Sequence, residues 1–200
     1  ATVAFADRAA LLSLDAEGAV AAVEAFLAAA GEGAGILFSA DPGEALEESA
    51  GGEQIIGAVT PIVHQLISLA KAFDRLQASP APRPQLVVVT SGSRLVEGDG
   101  AMSLSGLCES ALIGVARTMA NECRGLRIRL LDTDEAALRS GVAIANVMLE
   151  DGAETEIVLR GGERYVPRLE QMALQDVAPM RRRLETARDP SNYGVMLTRP

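Results

Sequence analysis

Two serines and two aspartates follow apolar runs that have the pattern of buried strands. Ser91 and Ser93 follow one run, and Asp132 and Asp134 follow the next. Ligand sites of open α/β sheets gather at the carboxyl ends of strands, so a serine nucleophile or a metal site is the chemistry to consider. However, Ser91 lacks the G-x-S-x-G context of a nucleophile elbow, and beyond the adjacent Glu135 no further acidic ligands stand near the aspartates. We therefore interpret these residues as turn and helix caps.

Carbonyl reduction would require a tyrosine whose pKa is lowered by a nearby lysine. In short-chain reductases this lysine comes four residues after the tyrosine. Here Leu169 follows Tyr165 at that spacing, and Leu197 follows Tyr193. The only lysine, Lys71, falls within a different predicted helix. The sequence therefore does not provide this proton-transfer pair.

A dinucleotide site would require a glycine-rich turn that leads from a strand into a helix, where the backbone can approach a pyrophosphate. Residues 31–35 (GEGAG) come after a helix and before a strand, which is the wrong order, so we interpret them as a helix C-cap and turn. Gly92, Gly98 and Gly100 do follow a strand. Acidic residues flank Gly98 on both sides and would repel a pyrophosphate.

The remaining reactive side chains are single residues without partners in the sequence. His64, the only histidine, falls in the middle of a predicted helix, which favours a packed or surface position over a general base. Cys108 and Cys123 are 15 residues apart on one predicted helix, too far to form a disulfide. We expect reduced, packed thiols, as in a cytoplasmic protein.

The composition excludes several classes of protein. The net charge is -9 and the pI is about 4.7, which argues against nucleic-acid binding, and we expect the basic triplet at 181–183 to be solvated or ion-paired. No apolar run reaches the ~20 residues of a membrane helix, and no signal peptide is evident. Both ends have the pattern of cuts through a longer polypeptide. Aromatic residues are scarce (3%), so a core of aliphatic side chains is expected.

The hydrophobic pattern predicts alternating strands and helices. Pro61 either begins a helix that Thr60 caps or kinks a longer helix, and the unbroken apolar period favours the longer one. Ser103 or Ser105 is expected to cap the helix that ends near Gly125. The predicted strands are 2–6, 10–14, 35–39, 86–90, 126–131, 156–159 and 165–169, and the predicted helices are 17–31, 54–79, 103–125 and 134–151.

These elements predict an α/β fold with a truncated, Rossmann-like, mostly parallel sheet of the short-chain-dehydrogenase type. Helices are expected on both faces of this sheet. Gly161-Gly162 predicts a C-terminal β-hairpin between the last two strands.

The sequence from about Gly35 to Leu169 resembles a known family. The segments LVVVTSGS, ALIGVARTMANECRGLRIRLLDTD and ETEIVLRGGERYVPRL are similar to the structural subdomain of a type I polyketide synthase ketoreductase. The matching features are Gly114-x-x-Arg117 with Glu122, the strand end at 130–132, and the hairpin end at 164–169. The resemblance implies that the helix around Gly114, Arg117 and Glu122 organises a core.

The resemblance also implies a function and partners. Residues 1–170 would be a non-catalytic ketoreductase subdomain without catalytic, cofactor-binding or metal-binding residues. Residues 171–200 would be a linker and the start of a following domain, possibly an enoyl reductase. NADPH would bind to the neighbouring catalytic subdomain, which is the expected partner together with the enoyl reductase and, indirectly, an acyl carrier protein; nucleic acid and membrane are not expected.

Two alternatives remain open at this point. One is a divergent short-chain reductase that uses Ser91 or Ser93 with an unusual base. The other is a stand-alone Rossmann-like module for a different nucleotide. The absence of an evident cofactor turn disfavours both of them.

Overall fold

The computed structural model describes residues 2–3, 11–12, 25–26, 35–39, 46–47, 49–76, 85–96, 99–123 and 126–168. The chain divides into two compact units, Ala1–Val166 and Pro167–Pro200. The architecture given below is that of the first unit. Predictions that concern the basic triplet at 181–183, Tyr193 and most of the helix at 17–31 lie outside the described residues; Ala25 and Phe26 are helical.

The described strands of the first unit form one seven-stranded sheet, in the order β2-β1-β3-β4-β5-β6-β7. The four strands from β3 to β6 are parallel, whereas β1, β2 and β7 pair antiparallel at the two edges. This confirms the mostly parallel, Rossmann-like sheet. The strands are β1 (Thr2–Val3), β2 (Leu11–Leu12), β3 (Gly35–Ser39), β4 (Gln85–Ser91), β5 (Arg127–Thr133), β6 (Glu156–Arg160) and β7 (Glu163–Tyr165).

Helices cover both faces of the sheet, as the sequence predicts. On one face, α1 (Gly52–Leu76) and α2 (Leu104–Glu122) pack on alternate strand residues such as Phe38, Val88 and Leu130. On the other face, α3 (Glu135–Ser140) and α4 (Val142–Leu149) pack on the intervening residues. Alternation of side chains along the strands therefore produces two separate hydrophobic layers.

The connections between the parallel strands lie on both faces of the sheet. The connections from β3 to β4 and from β4 to β5 pass over one face, whereas the connection from β5 to β6 passes over the opposite face. All three step in the same direction along the sheet, so the last has the opposite hand to the first two. Crossovers between parallel strands are right-handed in most folds, and this mixture of hands is therefore an unusual feature that alternation patterns do not reveal.

Helix α1 continues through Pro61 without interruption, which confirms the longer of the two predicted helices. Its segment Gly52–Asp74 is long and apolar enough to cross a membrane by length and composition, which corrects the prediction that no stretch reaches this length. In the described chain, one stripe of this helix, including Leu66, Leu69 and Phe73, is buried in the core. Core helices of soluble proteins satisfy the same criterion.

Helix α2 contributes to the core, as the resemblance implies. Ser103 caps the helix as predicted, and its hydroxyl accepts a hydrogen bond from the Gly106 amide. Gly114, Arg117 and Glu122 are themselves exposed, so α2 contacts the core with its other side. Leu107 is also exposed. The buried residues recur at spacings of three and four: Cys108, Leu112, Ala116 and Met119.

Two boundaries also differ from the predictions. The single helix predicted for 134–151 is divided at Gly141, whose φ of 66° ends α3 in a left-handed turn. The hairpin is confirmed, with positive φ at both Gly161 and Gly162. Its second strand nevertheless occupies Glu163–Tyr165 rather than 165–169, because the two-residue turn brings Glu163 into register with Arg160.

Arg129 is a charged residue within the strand β5, and it is almost completely buried. Its guanidinium donates to the carbonyl oxygens of Val147, Glu150, Gly152 and Glu154. These carbonyls end α4 and form the connection to β6, so Arg129 replaces the amide donors that a helix C-terminus lacks. Burial lowers the pKa of Arg129, although the group stays charged.

Candidate functional site

The candidate site lies at the carboxyl ends of β4 and β5, beside the end of β6. Ser91 and Thr133 are paired at this edge. An open cleft of about 310 Å³ lies here. Its lining combines backbone turns with charged side chains, chiefly Ser91, Arg94, Asp99, Ser103, Asp134 and Arg160. This is the position at which α/β sheets commonly bind ligands.

Asp132 is the centre of the polar network below this cleft, and only 2% of it is exposed. Its Oδ1 accepts hydrogen bonds from the Thr90 hydroxyl (2.7 Å), the Ser93 amide (2.9 Å) and the Ser93 hydroxyl (2.8 Å). Its Oδ2 accepts from the Arg94 amide (3.2 Å) and pairs with the Arg160 guanidinium. The carboxylate is therefore saturated by the chain itself. The prediction that Asp132 caps a helix is wrong.

Arg160 connects the end of β6 to the turn after β4. Besides Asp132, its guanidinium contacts the Asp99 carboxylate (3.2 Å) and the Arg94 carbonyl (2.7 Å). Asp99 in turn accepts from the Val96 amide. These contacts hold the loop after β4 against the sheet and leave the Arg160 charge matched by two carboxylates.

Glu109 is the second buried acid of this edge, and its Oε2 accepts a hydrogen bond of 2.7 Å from the Ser91 amide. The Glu109 carboxylate reaches the Ser91 amide because the first turn of α2 packs closely against the turn after β4. A Cβ atom on Gly106 would lie 2.3 Å from the Gly92 carbonyl oxygen, so only glycine fits there. Gly92 itself has a φ of 64°.

Asp134 completes the set of acids that bind backbone amides. It caps α3, as predicted, by accepting from the Ala137 amide (2.7 Å), and it also accepts from the Gly161 amide (2.8 Å). The hydrogen bonds from these two amides lower the pKa of Asp134. Three carboxylates therefore occupy backbone donors around the cleft, where a phosphate group would bind in a nucleotide-binding fold.

Glu156 at the start of β6 pairs with two arginines. Arg117 of α2 donates to both carboxylate oxygens, at 2.7 Å and 2.8 Å, and Arg94 also contacts the group. The hydrogen bond from Arg117, with the help of Arg94, lowers the pKa of Glu156 to about 2 despite its partial burial. Arg117, although exposed, therefore connects α2 to the start of β6.

The lowered pKa of Glu156 corresponds to about 3 kcal/mol of stability at pH 7. Arg117 is half-exposed, and solvent screens its charge, so the actual contribution is smaller. We therefore expect replacement of Glu156 by glutamine to lower the free energy of unfolding at pH 7 by about 1–2 kcal/mol. Because the folded pKa is depressed, the contribution is complete above the unfolded pKa of about 4.3 and is lost as the pH falls toward 2. Urea titrations of both proteins at pH 7 and pH 3 test this. A gap between them that stays constant with pH would contradict it.

The other residues that the sequence raised do not converge on the site. His64 and Lys71 are exposed on α1. Tyr165 is exposed on β7, where a hydrogen bond to Glu163 raises its pKa, the opposite of the change that a proton-donating tyrosine requires. In the described part of the chain, no group of three histidine, cysteine or carboxylate side chains could hold a metal ion.

Cys108 and Cys123 are both free and buried in the α2 layer. Burial raises the pKa of each thiol, and nearby carboxylates add to the effect. Neither has the lowered pKa of a reactive cysteine. Both are packed thiols, as the sequence predicts.

Sequence reasoning missed Thr90, Glu109 and Arg160. The only sequence signal for Glu109 is an acid at a position of α2 that belongs to the buried stripe, beside Cys108 and Leu112. Thr90 and Arg160 end strands, where many polar residues occur without any role. Their importance comes from the pairing of β5 with β4 on one side and β6 on the other, which brings both residues to Asp132.

The fold places the chain among Rossmann-like domains of the short-chain dehydrogenase type. A short-chain dehydrogenase from Mycobacterium avium superposes with a TM-score of 0.53 at 12% identity, over 86% of this chain and 70% of that one. A multidomain structure of a keto acid-selecting nonribosomal peptide synthetase module, with adenylation, ketoreductase and pseudo Asub domains, gives 0.54 at 15% identity. This match covers 66% of this chain and 11% of that one. At these identities the likeness concerns the fold alone.

Sequence similarity identifies the family. The chain belongs to the family of the Rossmann fold domain of the polyketide synthase extender module SpnB, whose sequence profile matches residues 4–169. It is also 30% identical, over 102 residues, to one protein of the phenolphthiocerol/phthiocerol polyketide synthase of Mycobacterium tuberculosis, and equally to its counterpart in Mycobacterium bovis. The match covers 51% of this chain and only 4% of those relatives.

Proposed function

We propose that this chain is the non-catalytic structural subdomain of a polyketide synthase ketoreductase. It stabilises a catalytic subdomain, elsewhere in the same polypeptide, that reduces β-ketoacyl intermediates on an acyl carrier protein with NADPH. The chain itself binds no cofactor and carries no catalytic residue. The family of the chain and the likeness of its fold to a short-chain dehydrogenase support a place in a reductase of a polyketide synthase.

The observation that supports the non-catalytic role most directly is the occupation of the backbone donors at the carboxyl edge. Carboxylates of Glu109, Asp132 and Asp134 accept from the amides of the turns that follow β4, β5 and β6. A pyrophosphate binds to such amides by displacing water. Here it would have to displace three anionic side chains and would also meet their charge.

The order of the strands gives a second, independent argument. Dinucleotides bind to doubly wound sheets where the strand order reverses, so that two neighbouring crossovers leave a crevice between them. In the described sheet the parallel strands β3, β4, β5 and β6 follow one another without reversal, and the strand beside β3 is antiparallel. The described parallel strands therefore lack this reversal of order, although a cleft does lie where the connections after β4 and β5 leave on opposite faces.

The proposal is tested by titration of the 200-residue chain with NADPH. We expect no saturable binding up to millimolar cofactor and no change in Tm. A cofactor that did bind, at 100 times its Kd, would add about 2.7 kcal/mol to the free energy of unfolding and would raise the Tm. The intact polypeptide that contains the catalytic subdomain is the positive control. Saturable binding at micromolar NADPH by this chain alone would contradict the proposal.

One alternative is a binding module for another nucleotide, which would occupy the cleft of about 310 Å³. Ser91 lines this cleft, and the Ser93 amide and hydroxyl bind Asp132 instead of facing a ligand. Phosphate or adenine bound near these serines would favour this alternative. A chain that alone turns over a β-ketoacyl thioester would favour a divergent reductase.

The proposal extends to the position of the chain in its polypeptide. Residues 1–170 form the subdomain, and residues 171–200 lead into a following domain, for which an enoyl reductase is the expected identity. The enoyl reductase and the catalytic ketoreductase subdomain are then the direct partners, and the acyl carrier protein is an indirect one. We propose a cytoplasmic location for the assembly, without nucleic acid or membrane as partners.

A further inference from the structure

Helix α4 carries more apolar surface than the core of the described chain uses. Asn146 is its only polar residue, and none of its residues is charged. A helix that is apolar on all sides is usually buried on all sides. In α4, however, only Ile144 and Val147 are buried, whereas Val142 is 63% exposed and Leu149 is 85% exposed. The described core therefore leaves one side of this helix uncovered.

The uncovered residues form one stripe. Val142, Ala145, Asn146 and Leu149 recur at spacings of three and four, so they lie on the same side of the helix. We call these four residues the outer α4 surface. Leu149 is the most exposed large apolar side chain of the described residues. Exposed apolar side chains that share one side of a helix mark contact sites more often than single ones do.

The position of Leu149 is fixed by its neighbours in the chain. Met148, before it, packs in the hydrophobic layer of this face and lies close to Gly35 at the start of β3. The Glu150 carbonyl, after it, accepts a hydrogen bond from the buried Arg129 (2.9 Å). A partner therefore meets a side chain whose backbone is already ordered, which lowers the entropic cost of binding.

The chain leaves the first unit beside this end of α4. Arg164 on β7 is paired with Leu159, so its side chain lies on the α3–α4 face of the sheet. There its guanidinium contacts the Glu150 carboxylate (2.7 Å). β7 is the last described strand of the first unit, which ends at Val166. The polypeptide that follows is therefore tethered at a point next to the outer α4 surface.

We propose that the outer α4 surface is the contact site for the domain that follows residue 200 in the same polypeptide. This inference rests on the proposed function and adds the surface against which the following domain packs. The match covers only 4% of the curated relatives, which therefore extend far beyond the matched segment. A tether at β7 gives the following domain a high effective concentration beside α4. An uncharged, apolar stripe fits the centre of such a contact.

The charge of the chain argues against two other occupants. Its net charge is -9, so a second copy and an anionic lipid surface would both be repelled. The outer α4 surface also has no basic residue, which binding to an anionic membrane would require. The following domain of the same polypeptide is therefore the occupant that the observations favour.

The first test measures the accessibility of position 149 with Leu149→Cys, labelled by N-ethylmaleimide and followed peptide by peptide with mass spectrometry. The 200-residue chain is compared with the intact polypeptide. We expect labelling at 149 to be at least about tenfold slower in the intact polypeptide, as for a side chain that is uncovered about a tenth of the time. Equal rates in the two proteins would overturn the proposal.

The matched control is Leu95→Cys. Leu95 is 57% exposed on the loop after β4, at the carboxyl edge of the sheet, whereas Leu149 ends a helix that leads to the amino end of β6. Its labelling rate should agree within about twofold between the two proteins, as for a surface position outside the contact. Cys108 and Cys123 are buried, and burial raises the pKa of both thiols, so the native cysteines react slowly.

The second test uses Val142→Gln and Leu149→Gln combined. Both positions are exposed and glutamine favours a helix, so the Tm of the 200-residue chain should change by less than about 2 °C. In the wild type, we expect slower hydrogen exchange of residues 142–149 in the intact polypeptide than in the chain alone. The double variant should remove this difference, whereas Leu95→Gln should keep it. Protection that persists in the double variant would contradict the contact site.

The outcomes separate the two proposals. If Leu149→Cys is labelled equally fast in both proteins while the chain alone binds no NADPH, only the contact site is wrong. If the chain alone binds NADPH, the proposed function itself fails. Labelling of the 200-residue chain at 149 that slows with protein concentration would overturn the proposal in favour of a second copy. Labelling that slows with phosphatidylcholine–phosphatidylglycerol vesicles would overturn it in favour of a membrane surface.

Discussion

Replacement of Asp132 by alanine is expected to lower the free energy of unfolding by about 4 kcal/mol at pH 7, because it leaves the buried Arg160 charge and several donors without their acceptor. Asp132 receives five hydrogen bonds or ion contacts from Thr90, Ser93, Arg94 and Arg160. Its removal also releases the loop after β4 at Ser93 and Arg94. Equilibrium unfolding in urea measures the effect.

Two further variants define the cause. Asp132→Asn keeps the acceptor for Thr90 and Ser93 but loses the charge, so we expect about half of the alanine effect. Asp151→Ala removes a carboxylate that is 97% exposed and pairs with Arg127, and it should cost no more than about 0.5 kcal/mol. Equal losses for the buried and the exposed aspartate would refute the role of the network. Because the wild-type chain is proposed to bind no NADPH, the only expected effect of these variants is on stability.

Replacement of Arg129 by methionine is expected to destabilise the chain by about 3–5 kcal/mol, since it leaves buried carbonyls unsatisfied while it preserves most of the apolar volume. The guanidinium is the donor for four carbonyls between Val147 and Glu154. We expect the end of α4 and the start of β6 to lose protection first. Hydrogen exchange followed by mass spectrometry should show faster exchange in residues 142–158.

The control for this prediction is Arg139→Met. Arg139 forms an exposed pair with Glu135 one helical turn away, and such pairs contribute about 0.3–0.5 kcal/mol. Arg129→Lys is an informative intermediate, because a lysine keeps the charge but cannot reach carbonyls in several directions at once. A lysine variant as stable as the wild type would show that the charge, and not the fork of donors, is what the site requires.

Much of the fold follows from local pattern. Continuous apolar runs at 36–38 and 86–89 predict buried parallel strands, and the structure places both in the centre of the sheet. Glycine pairs and capping residues also act locally, so Gly161-Gly162, Ser103 and Asp134 were correctly predicted to end or begin elements. The sequence alone thus determined the class of fold.

The tertiary structure decided which residues matter. The resemblance implied that the helix around Gly114, Arg117 and Glu122 organises a core, and only the structure shows that these three residues lie on its exposed side. Likewise, Ser93 and Asp132 looked like separate caps because 39 residues separate them, and only the pairing of β4 with β5 brings them together. Contacts between distant segments depend on register and crossover, which no single stretch of sequence encodes.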